Sequence, residues 1–189
     1  MNVKEYQDII KNELKRILSG SNLEIEKEWS SDVQRYKIYS PRLDLAVGPF
    51  AKHDGKIYEY NVLQGTYNKF IQELINLHNS NLSENDTFND QKNFYSVTNK
   101  NINARCFLAV EVENKVSRKH LMGSAINASA LGKIGLLIAF SNEKFEAIKK
   151  LEKYFSFLKD ASKNTFNTDN LLILNKDQFL EYLQNYHID

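Results

Sequence analysis

Residues 106–140, CFLAVEVENKVSRKHLMGSAINASALGKIGLLIAF, decide the fold. From Cys106 to Lys115 the side chains alternate in strand fashion. Leu108, Val110 and Val112 take one face, and Phe107, Ala109, Glu111, Glu113 and Lys115 take the other. A helix is predicted from Ser117 to Leu131, carrying Gly123, Ser124, Ala125, Ala128, Ser129 and Ala130, small residues that permit close packing on a sheet. Ile134 to Phe140 is then apolar on both faces, the pattern of a buried strand. Strand, helix and strand in this order close as a right-handed crossover with the two strands parallel, so the chain is α/β.

Downstream, the spacing predicts a helix over Glu143 to Leu158, a strand over Leu171 to Leu174 and a helix over Asp177 to Tyr186. Upstream, Val3, Tyr6, Ile9, Ile10, Leu14 and Ile17 recur at helical spacing, with Gly20 as a stop signal. Glu13 falls inside the arc of that apolar stripe and so points inward, where a snorkelling edge residue is the plainer explanation. Leu23 to Trp29 and Val33 to Tyr39 alternate about the turn Ser30, Ser31, Asp32, as in an antiparallel hairpin. A third strand runs from Arg42 to Val47 between Pro41 and Pro49, with Leu43, Leu45 and Val47 on one face and Asp44 on the other. The stretch from 50 to 105 is the least regular and reads as an insertion. A hairpin is expected around Asp54 and Gly55, a helix over Tyr67 to His78, and then a loop tract, Asn79 to Asn103, that decorates the core.

A chain of 189 residues with 42% hydrophobic and 26% charged residues can bury a core as a single domain, 1–189, and is not a disordered composition. Cys106 is the only cysteine, which rules out an intrachain disulfide and a cysteine-based zinc cluster and suits a reducing cytoplasm. The first eighteen residues mix charges through their apolar positions, unlike a signal peptide, and no apolar run is long enough to span a bilayer as a helix. A net charge of +1 offers no global argument for a polyanionic partner. The four histidines are scattered without zinc spacing, and neither GxxxxGK[ST] nor GxGxxG occurs.

Glu111 and Glu113, two apart on one strand, project side by side at about 6 to 7 Å, a span that hydrated divalent cations bridge. Alternation alone would equally describe the solvated face of an edge strand. The apolar strand and small-residue helix that follow make the Glu strand internal, and carboxylates on an internal strand require a cation. Asp44, on a neighbouring strand, completes three converging carboxylates. Hard oxygen donors select Mg²⁺ or Mn²⁺, which acidify a bound water and neutralise a phosphoryl oxygen.

Pro41-Arg42-Leu43-Asp44, then Glu111-Val112-Glu113, then SRKHLMGSAINASALGKIGLLIA resemble the PD-(D/E)XK nuclease superfamily of restriction-endonuclease-like proteins, across about two thirds of the chain. The resemblance implies an α-β-β-β-α-β core with a mixed central sheet flanked by helices. It also implies a Mg²⁺- or Mn²⁺-dependent endonuclease acting on DNA, in a restriction or defence setting, with Asp44, Glu111 and Glu113 as metal ligands. The third position of the triplet is Glu113 where the family usually has lysine, a variant some members carry. Lys115, on the same strand face, is the candidate replacement cation, and Lys119 or Lys133 from nearby elements are the alternatives. Glu13 matches a position where some members add a carboxylate. Arg118, Lys119 and Lys133 belong to an interval from Lys115 to Lys133 without any acidic residue, which reads as a phosphate-contacting helix start or as a solvated basic turn. Tyr58, Tyr60 and Tyr67 are candidates for stacking on bases. The expected partner is nucleic acid, DNA ahead of RNA, with a homodimer or a companion protein for target recognition and no membrane. The alternative function is a catalytically inactive nuclease-like subunit that binds nucleic acid or protein within a larger assembly.

Overall fold

The computed structural model describes residues 1–30, 40–52, 54–82, 91–115, 117–163 and 166–187. Its frame is the predicted βαβ unit: β3 (Cys106–Glu113), α5 (Arg118–Leu131) and β4 (Gly132–Ala139), with β3 and β4 parallel and Glu111 opposite Leu137. On the amino side stand α1 (Val3–Ile17), β1 (Ile25–Ser30) and β2 (Arg42–Val47), and β2 pairs antiparallel with both β1 and β3. On the carboxyl side α6 (Asn142–Asp160), β5 (Leu171–Asn175) and α7 (Lys176–Asn185) follow, with β5 parallel to β4. The mixed sheet therefore runs β1-β2-β3-β4-β5.

Helices cover both faces because the buried strands are apolar on both. Leu108, Val110, Ile134, Leu136 and Ile138 pack on the side of α1 and α7, while Ala109, Leu137, Ala139 and Ile173 pack on the side of α5 and α6. Phe107 joins the first group rather than Ala109, stacking near Tyr60 at the strand's entry. The helix α5 lies very close to the sheet. A Cβ on Gly135 would meet the Ala128 backbone at 2.8 Å, and one on Gly132 would meet the Ala109 methyl at 2.7 Å.

The predicted strand Val33 to Tyr39 lies outside the described residues. One expectation changes. The tract Asn79 to Asn103, expected to decorate the core, supplies part of it through Val97, as do the helices before it. In place of a hairpin at Gly55 comes α2 (Ile57–Thr66), followed by α3 (Asn68–Ser80) and, inside the tract read as loop, α4 (Phe94–Asn99). Tyr60, Leu63, Phe70, Ile71, Leu74, Ile75 and Val97 all enter the same apolar cluster as α1 and α7. The apolar face of β3, β4 and β5 has to be covered, and α3 covers it. The Asn- and Ser-rich composition hid α4, whose start is fixed by a capping box between Asn93 and Ser96.

The alternation of β1 and β2 breaks at one paired position. Ile25 and Val47 pack on the α1 side, yet Trp29 and its partner Leu43 pack on the α5 side. Between them Glu28 adopts φ 51, a left-handed backbone that turns the following side chain to the other face. The register places Glu28 opposite Asp44.

Among the described residues, no helix is long and apolar enough to cross a membrane.

Candidate functional site

The pairing of β2 with β3 ends at Leu45 and Val110, one residue before Asp44 and Glu111. Where the ladder stops, the Asp44 carboxylate enters the gap between the strands and accepts the Val112 N–H at 2.7 Å. The buried Gln7 side chain of α1 faces it and works against the rise in its pKa. Glu111 accepts from Asn127 Nδ2 of α5 at 3.4 Å. Glu113 accepts from Ser124 Oγ of α5 at 3.0 Å with one oxygen and from the Lys115 N–H with the other.

These carboxylates repel one another in a setting with little water. Glu111 and Glu113 are only 7% and 6% exposed. Burial, and then the charge of Asp44, push the Glu111 carboxyl up to about 9. Burial likewise raises Asp44, with further contributions from the charges of Glu28 and Glu113. Every hydrogen bond named above comes from a neutral donor, so these bonds orient the carboxylates without cancelling their charge.

The expected three-way convergence is only partly pre-formed. Among the described residues, no group of three or more His, Cys, Asp or Glu is drawn together so that it could hold a metal ion. Asp44 and Glu111 adjoin across the strand gap, whereas each Glu113 oxygen already accepts one bond, from Ser124 or from the Lys115 N–H, and keeps further acceptor positions. A carboxylate has about four acceptor positions, of which Asp44 and Glu111 each use one and Glu113 two. The pair therefore suits a hard divalent cation that keeps several of its waters.

Lys115 follows the end of β3 and is exposed, as is Lys119 in the first turn of α5. Arg118 opens α5, and its side chain lies outside what is described. Ser117 occupies the N-cap, but its hydroxyl makes no capping bond. Lys133 is not at this end of the sheet. It lies four residues before Leu137, the partner of Glu111, about 13 Å back along β4. Only 1% exposed and bonded to the Asn101 carbonyl, it has a lowered pKa through burial and is removed from any phosphate-contacting surface. Glu13 faces Arg16 at 2.9 Å rather than the carboxylates, because α1 turns Gln7, not Glu13, toward β2. Of the three tyrosines only Tyr58 is exposed; Tyr60 and Tyr67 are buried and bonded to the Pro49 carbonyl and to Ser21.

Comparison with known proteins finds nothing similar. No family model matches, and neither a characterised protein nor a solved structure resembles the chain.

Sequence reasoning missed Gln7, Ser124 and Asn127, and each left a trace. Gln7 is the polar member of the stripe Val3, Gln7, Ile10, Leu14. Ser124 and Asn127 are three apart and so share one face of the helix, as Glu113 and Glu111, two apart, share one face of the strand.

Proposed function

We propose that this protein is a divalent-metal-dependent endonuclease that hydrolyses DNA phosphodiester bonds, using Mg²⁺ or Mn²⁺ held by Asp44 and Glu111, with Glu113 beside them. The observation that carries this reading is the buried, mutually repelling carboxylate pair at the open end of β2 and β3, satisfied by neutral donors alone. A metal bound there would acidify water and neutralise charge on a phosphoryl oxygen. Asp44 and Glu111 would hold the ion, Glu113 would orient water through its fixed carboxylate, and exposed Lys115 and Lys119 would draw the phosphodiester to this edge. Two further points support the reading. The chain forms a five-stranded mixed sheet flanked by helices, with α2, α3 and α4 between β2 and β3, and the site lies at the carboxyl ends of parallel strands, where α/β sheets place their ligands.

A second reading, a catalytically inactive nuclease-like subunit that binds nucleic acid or protein, is favoured by one observation. Among the described residues, no lysine replaces the motif cation inside the site, since Lys115 is exposed and Lys133 is remote. The deciding experiment is cleavage of supercoiled plasmid, single-stranded DNA and RNA in Mg²⁺, Mn²⁺ or EDTA. Metal-dependent nicking of DNA, reduced at least about 100-fold in Asp44→Ala and Glu111→Ala, is the expected result. No cleavage of any substrate by folded protein would transfer the assignment to the binding subunit, and cleavage confined to RNA would change the substrate.

A further inference from the structure

The two glutamates of β3 are not free to choose their rotamers. Each is met by a polar side chain of α5: Glu113 by Ser124 Oγ at 3.0 Å and Glu111 by Asn127 Nδ2 at 3.4 Å. The helix bearing these donors is itself held in register on the sheet by close backbone approach. Ala125 and Ala128 are fully buried on it, and Gly135 of β4 leaves no room for even a methyl group beneath Ala128. A helix so fixed presents Ser124 and Asn127 as a rigid template running beside the two carboxylates.

We propose that Ser124 and Asn127 are positioning residues that hold Glu113 and Glu111 in place for a divalent cation, and that the tight α5–β4 contact at Gly135 sets their register. The inference rests on the metal-centre reading above and assigns to α5 the orienting task. A cation gains from pre-oriented carboxylates because their side-chain freedom need not be lost on binding. Neutral donors suit the task, since a lysine in either place would compete with the ion for the same oxygens. Partners of this kind, bonded to the ligand rather than to the metal, commonly carry 10- to 100-fold of metal affinity when removed.

The test is calorimetric titration of Mn²⁺ into the full chain, with thermal melting of the metal-free protein alongside. Wild type is expected to bind Mn²⁺ and Asp44→Ala to lose it. Asn127→Leu and Ser124→Ala should each weaken binding about 10- to 100-fold while the metal-free melting temperature stays within a few degrees of wild type. Ser124→Thr, which keeps the hydroxyl, should restore near-wild-type affinity. Wild-type affinity in both Asn127→Leu and Ser124→Ala would overturn the positioning role and leave the metal centre standing. Absence of Mn²⁺ binding by folded wild type would overturn the metal centre and the positioning role together.

Discussion

Glu111 carries the clearest electrostatic signature among the described residues. In the folded chain its carboxyl titrates at about 9 instead of the usual 4.5, burial being the main cause and the neighbouring Asp44 the next. Below pH 4.5 the folded and unfolded states both keep the proton, and the contribution to stability is complete. As pH rises, the unfolded state releases its proton first, so stability falls progressively until the folded group titrates near 9. Asp44, also raised, has the same sign. Metal-free protein should therefore melt at lower temperature at pH 8.5 than at pH 5.5. Glu111→Gln should flatten that slope, and millimolar Mn²⁺ should offset the loss at the alkaline end. Melting curves across pH 5 to 9 read all three effects, and an equally steep slope in Glu111→Gln would refute the assignment. Glu28 makes a different prediction. Its left-handed backbone, φ 51 within a strand, costs a non-glycine residue about 1 to 2 kcal/mol, and its carboxylate is exposed with a long 3.5 Å contact to Arg42 worth little. Glu28→Gly should raise stability by about 1 kcal/mol in urea titrations; destabilisation would show that the carboxylate matters more than the strain.

At the scale of elements, β5 is an edge strand that might pair with another chain through its exposed backbone, and α3 prevents it. The Ile173 N–H donates to His78 Nδ1 at 2.9 Å, and the Ile173 carbonyl accepts from Asn81 Nδ2 at 3.1 Å. Two side chains on α3 and just beyond its end thus stand where a neighbouring strand's peptide would. Since Nδ1 accepts, the ring at His78 cannot carry a proton there. His78→Ala leaves a buried N–H without its acceptor, which should cost about 1 to 3 kcal/mol and uncover an edge able to recruit a second copy. The expected outcome is a lower urea midpoint with more light scattering on refolding. A variant as stable and as monodisperse as wild type would show the edge to be guarded by something else. The same helix explains why residues 50 to 105 belong to the core: α3 turns one side, Phe70, Ile71, Leu74 and Ile75, onto the apolar cluster while His78 seals the strand.

Across the whole molecule, Lys92 ties that inserted stretch to the opposite end of the chain. Its Nζ lies 3.1 Å from Glu152 of α6 and 3.0 Å from the Thr168 carbonyl, with both charged side chains at most 3% exposed. Removing one partner strands a buried charge, so Lys92→Met should cost about 3 to 5 kcal/mol, whereas Lys92→Met with Glu152→Leu should recover most of it. Because α2, α3 and α4 share one apolar cluster with α1 and α7, the loss should appear as a shift of a single transition. Fluorescence of Trp29, the sole tryptophan and stacked on Phe50, should follow the same curve as far-ultraviolet circular dichroism. Separated transitions would mean that the inserted stretch unfolds independently.

The sequence by itself determined the sheet's frame. Alternation in Cys106 to Glu113, small residues through the following helix and the apolar strand after it permit only a parallel crossover, and local pattern suffices where a segment's burial is set by its own periodicity. It also singled out Asp44, Glu111 and Glu113, because carboxylates on internal strands contradict the surrounding burial. What the tertiary structure alone decided is which groups meet them. Gln7 rather than Glu13 reaches Asp44 because the rotation of α1 is set by packing against β2, not by its own apolar arc. Lys133 is lost to the far end of β4 because the strand's direction, invisible in a list of basic residues, carries it away from Glu111. The left-handed backbone at Glu28, the end of the β2–β3 pairing at Leu45 and the bond of Ser124 to Glu113 arise from contacts between segments distant in sequence. No single segment's periodicity encodes such contacts, since their energies exist only once the layers have packed.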